Sequence, residues 1–121
     1  MPVRLRPADP AVVAPALTRF RAGHAESDDL RLLTKHLLAL LVAKAPGGAV
    51  EIRVPPYAVA QCVQGTRHTR GTPPAVVEME ARTWIALAVG DLSWADAEKT
   101  ARLAASGERS DLSSLLPVME E

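Results

Sequence analysis

Arg67, His68 and Arg70 fall in one short stretch between Gly65 and Gly71, and this combination suits anion binding. Guanidinium forks pair bidentately with carboxylate or phosphate, and glycine lets the backbone close on such a group. One reading is a loop at a pocket mouth that recognises an acidic head group. The other is a solvated turn whose charges pair with Glu78, Glu80 or water. No Gly-Lys-Ser/Thr ending follows, so the stretch is not a phosphate-cradling P-loop.

Other reactive side chains are scattered. Cys62 is the only cysteine, so neither an intramolecular disulfide nor a thiolate metal cluster can form within one chain. It falls on the small-residue face of an expected strand, where a thiol behaves as a small hydrophobe and not as a nucleophile. His24, His36 and His68 belong to three different elements, and no His-x-x-x-His or Glu-x-x-His spacing joins them, so they read as surface or boundary histidines. Ser93, Ser106, Ser110, Ser113 and Ser114 read as caps and turns, and Gly-x-Ser-x-Gly is absent. Asp28 with Asp29, and Asp91 with Asp96, suit helix starts better than a catalytic carboxylate pair. Nothing here places a nucleophile beside a base. The expectation is a protein without catalytic residues, metal or cofactor.

The elements that position these residues follow from periodicity. Asp9-Pro10 starts a helix in which Val13, Leu17 and Phe20 recur until Gly23, with Pro15 able to kink or split it. A second helix begins near Asp28, carries the stripe Leu30, Leu33, Leu37, Leu40 and Leu41, and stops at Pro46-Gly47-Gly48. The period then changes to two: Val50, Ile52 and Val54 alternate with Glu51 and Arg53. After Pro55-Pro56 a strand over 57–64 has no strongly polar face and reads as an inner strand. A third strand covers 75–80, and a helix over about 81–89 brings Trp84, Leu87 and Ala88 together before Gly90. Ser93 caps a short helix, 101–106 forms a last strand, and Ser110 caps a final helix bearing Leu112, Leu115 and Leu116. Segregated strands and helices imply an α+β domain spanning 1–121: a mostly antiparallel twisted sheet of about four to five strands, with helices on one face.

Composition narrows the function. Fourteen basic residues balance fourteen acidic ones, so no overall field draws the chain to nucleic acid or an anionic membrane. Apolar residues make up 48%, yet only Phe20, Tyr57, Trp84 and Trp94 are aromatic, leaving most packing to Ala, Val and Leu. The stretch from Leu37 to Ala43 is far shorter than the roughly 20 residues a membrane span needs. The N-terminus lacks the apolar core of a signal peptide, so a soluble cytoplasmic protein is expected.

The stretch Trp84-Ile-Ala-Leu-Ala-Val-Gly-Asp-Leu-Ser-Trp94, followed by Arg102-Leu-Ala-Ala-Ser-Gly107, resembles the C-terminal half of the sterol carrier protein family in its bacterial form. These are packing and turn residues, so the resemblance points to a fold and not to a reaction. It implies a hydrophobic pocket between sheet and helices that binds or carries a fatty acyl, sterol-like or other lipid. The chain departs from the eukaryotic pattern in its short last helix, its Val-Met-Glu-Glu ending and its 67–74 loop.

On that resemblance the expected pocket wall is Leu33, Leu37, Leu41, Val59, Trp84, Leu87, Trp94, Leu112, Leu115 and Leu116, with Arg67, His68 and Arg70 as its polar mouth. From pattern alone the same stripes read first as filled core, and only the resemblance brings the pocket level with that reading. The expected partner is a small hydrophobic ligand; the alternative is a structural or protein-interaction module with a packed interior.

Overall fold

The computed structural model describes residues 5–65, 75–107 and 110–119. The Asp9 side chain accepts the Ala11 N–H at 2.9 Å and opens helix α1, Pro10–Arg21. Pro15 does not split α1, which continues as one element to Arg21. It is the sixth of the twelve residues, so the helix forgoes one interior bond, the one that would end on the Ala11 carbonyl, without breaking.

Helix α2, Ser27–Lys44, is the central element. The Asp29 carboxylate accepts the Glu26 N–H at 3.1 Å, tying down its first turn. Leu30, Leu33, Leu37 and Leu41 are buried as the stripe predicts, but so are Thr34, His36, Leu38 and Ala39. Burial on so many sides reflects contact with α1, with the sheet and with the helix Ala81–Val89 (α3).

The sheet has four strands in the order β2-β1-β3-β4: β1 is Val50–Val54, β2 Ala58–Cys62, β3 Ala75–Met79 and β4 Leu103–Ser106. β1 pairs antiparallel with β2, parallel with β3, and β3 pairs antiparallel with β4. The architecture is α+β as expected, with a mixed sheet in place of a purely antiparallel one. The strand expected to lie inside the sheet, β2, is an edge strand. Its nearly apolar pattern arises because Ala58, Ala60 and Cys62 face the helices, while Val59 and Gln61 share the outer face with Glu51 and Arg53.

At Gly47 and Gly90 the backbone geometry requires glycine. Gly47 (φ +145°) lets the chain pass so close to β2 that a Cβ there would overlap the Val63 carbonyl. Gly90 takes the left-handed conformation (φ +87°) that closes α3. Ser93 Oγ then accepts the Asp96 N–H at 3.1 Å and starts α4, Trp94–Lys99.

The expected final helix is instead a single 3₁₀ turn, Ser113–Leu115, with the Asp111 side chain in place of Ser110 accepting the Ser113 N–H at 2.9 Å. Pro117 disfavours helical backbone at Leu116 and ends the turn. The chain beyond is pinned to α3, where Ala88 O accepts the N–H groups of Val118 (2.9 Å) and Met119 (3.2 Å). Lys44 Nζ donates to the Leu115 carbonyl at 2.9 Å and holds the same segment to α2.

Candidate functional site

Most residues expected to line a void between sheet and helices fill that space. Leu33, Leu37, Leu41, Trp84, Leu87 and Leu112 expose no more than 1% of their surface, as do Ile52, Val54 and Val77 opposite them on the sheet. A side chain that water cannot touch borders no void large enough for a water molecule, and still less one for a lipid. The Trp84 indole N–H donates to the Thr34 carbonyl at 3.3 Å, fixing the largest of these side chains between α2 and α3. Trp94 is buried, and Leu115 and Leu116 are half-buried around the 3₁₀ turn. Val59 is 57% exposed on the outer sheet face and cannot share a pocket with the leucines, because adjacent strand residues point to opposite faces. Arg67, His68 and Arg70 lie outside the described residues.

A groove of about 330 Å³ opens on the other side of α2. Pro10, Val13, Ala14, Leu17, Thr18 and Arg21 repeat at helical spacing along one face of α1 and form one wall. Leu40 and His36, one turn apart on α2, form the second wall, and Met119 closes the third side. The surface is mostly apolar. Two ion pairs hold α1 in place: Arg19 bonds Asp29 bidentately at 2.7 and 3.0 Å, and Arg21 bonds Asp91 at 3.0 and 3.1 Å. The Arg19 hydrogen bond, aided by the Glu26 N–H, holds the Asp29 carboxyl below its ordinary pKa.

His36 is the polar feature of this groove. It is 8% exposed, and its Nδ1 accepts the Ala8 N–H at 2.9 Å. An acceptor nitrogen carries no proton, so the ring is the neutral Nε2–H tautomer. Burial favours the same state by lowering the imidazole pKa from 6.5. The remaining Nε2–H donor has no protein acceptor among the described residues. The sequence reads this histidine as a surface or boundary residue, and the structure buries it in the groove wall. Its spacing from Leu40 was a usable signal, but that α1 would cover this face was not.

Cys62 is fully buried, and burial pushes its thiol up to about 11, leaving almost no thiolate at neutral pH. His24 sits exposed beyond the end of α1 and does not line the groove that His36 does. A second hollow, about 400 Å³, lies open on the outer sheet face beside Pro55, Pro56 and Tyr57, with Arg53 and Glu78 at its edge. No described helix is long and apolar enough to cross a membrane.

No curated protein matches the chain. A family model described as bacterial SCP ortholog, SCP being sterol carrier protein, matches residues 26–118. That span begins at the first turn of α2 and runs through the C-terminal segment, so it takes in every strand while α1 lies upstream of it. The match covers most of the sequence and agrees with the order of elements described above: the chain belongs to the family of bacterial sterol carrier protein orthologues.

Proposed function

We propose that this protein binds a small hydrophobic molecule, without transforming it, in the groove between α1, α2 and Met119. Membership of a sterol carrier family supports a lipid-like ligand. The single observation that favours this location is the apolar groove of about 330 Å³ beside an interior already filled by side chains. That volume is at the lower end for ligand sites, which suits a short or branched chain, or one end of a longer one. Burying methylenes drives such binding at about 0.8 kcal/mol each, less the cost of immobilising the ligand.

Native mass spectrometry for co-purifying lipid, followed by ¹³C-methyl methionine NMR, tests the reading. The Met119 methyl lines the groove, whereas Met79 is buried in β3 and serves as an internal control. A short-chain lipid should shift Met119 and leave Met79 in place. Shifts at Met79 alone would move the site to the interior.

The packed interior favours a second reading, an interaction module without a ligand. It predicts that no amphiphile moves either methyl resonance and that none co-purifies.

A further inference from the structure

We infer that the groove selects an uncharged ligand carrying a hydrogen-bond acceptor, such as the carbonyl of an ester, thioester, ketone or amide, over the corresponding free acid. This inference rests on the groove being the binding site.

His36 is more than nine-tenths buried in the groove wall, and the bond from Ala8 N–H fixes its tautomer. The protein therefore presents one neutral N–H donor among the apolar side chains of Val13, Leu17, Leu40 and Met119, while the other polar lining residues, Thr18 and Arg21, already donate to Ala14 O and to Asp91. Water satisfies the His36 donor in the free groove, and a ligand whose chain covers the apolar walls displaces this water, so a ligand carbonyl restores the bond that an apolar ligand would leave unmade. A carboxylate fares worse there. It must be desolvated against a neutral imidazole, and the cation at the rim, Arg21, already engages both oxygens of Asp91. A plain hydrocarbon covers the walls but leaves the donor unanswered. Built this way, the site ranks neutral carbonyl compounds first. A head group recognised by charge would require the opposite arrangement, with a cation free of a carboxylate partner.

The test uses the full chain with three probes of closely matched length: hexanoate, its methyl ester and octane, titrated at pH 7.5. The Met119 methyl resonance reports occupancy, and the ¹⁵N shifts of the His36 ring report its tautomer. The methyl ester is expected to bind about three- to tenfold more tightly than either of the others, the range one neutral hydrogen bond supplies. Its contact should shift the His36 Nε2 signal. In His36→Phe the ester and octane should bind equally. Because that change also removes the Ala8 anchor, His36→Gln, which keeps an N–H donor, should retain part of the preference. Hexanoate binding as well as the ester, ester and octane binding alike in the wild type, or a proton on Nδ1 would each overturn the inference while leaving the groove as the site. Failure of all three probes to move Met119 would overturn the groove itself and the inference with it.

Discussion

Replacing Leu37 by alanine separates a filled interior from a hollow one. Leu37 sits mid-way along α2 with none of its surface exposed, in the same cluster as the equally buried Leu33, Leu41 and Trp84. Truncation removes its transfer free energy and leaves a cavity that rigid neighbours only partly close, which costs about 3–5 kcal/mol. A leucine facing an empty oily space has already lost many of those contacts, and its truncation would cost less than about 2 kcal/mol. A domain of this size has an unfolding entropy near 0.25 kcal/mol per kelvin, so the expected loss is about 12–20 °C in Tm. Differential scanning calorimetry measures that shift directly. The new apolar cavity should also bind benzene, as dry engineered cavities do, and the variant alone should gain stability in its presence. A fall of under about 8 °C, together with equal benzene binding by wild type and variant, would refute the packed interior.

Three further outcomes follow from individual groups. Thr34 is fully buried and its hydroxyl has no partner among the described residues, so Thr34→Val should raise stability in urea by about 1–2 kcal/mol; a loss would show that the hydroxyl is bonded. The pKa of His36 is lower in the folded chain than its ordinary 6.5, so below that pH the unfolded chain binds more protons. Stability should therefore decline as pH falls through 6.5 and flatten once the native imidazole has also protonated, and His36→Gln should remove that component of a pH series of melts. Cys62 should react with an aromatic disulfide reagent at pH 8 only as fast as the chain opens, because its thiol is buried and raised to about 11; stoichiometric reaction within seconds would contradict that burial.

Elements set by local pattern were legible in the sequence. The helix expected over 81–89 is found as Ala81–Val89, since Trp84, Leu87 and Ala88 share a face and Gly90 supplies the left-handed stop. β1 follows equally from the alternation of Val50, Ile52 and Val54. Strand order was not legible, because pairing joins residues distant in the chain: nothing in the alternation of 50–54 distinguishes a parallel β3 neighbour from an antiparallel one. The same gap put Val59 on the wrong side, since a small-residue face and a valine face are equally apolar until one is known to be covered. At the C-terminus the signal was present but weighed wrongly. Leu112, Leu115 and Leu116 suggest a helix, yet Pro117 follows one residue later and leaves room for a single turn.

The candidate site shows why identifying the fold did not locate a binding surface. The resemblance implied a hollow between sheet and helices, but one tryptophan and a run of leucines close it. Opening the interior to admit a lipid would require displacing at least Trp84 and Leu37, at a cost of about 3–5 kcal/mol each. Together these approach the entire stability of an ordinary domain, about 5–15 kcal/mol. A ligand with about six buried methylenes returns only about 5 kcal/mol before its own immobilisation is counted. The α1 groove is open in the folded chain and needs no such displacement, so under the proposed function the same ligand would keep its apolar gain there. The segment shared with the family supplies only part of that groove, and α1, upstream of it, supplies the longest wall. Among chains that share residues 26–118 but differ ahead of them, ligand preference should therefore vary with the α1 face that carries Val13, Leu17 and Arg21.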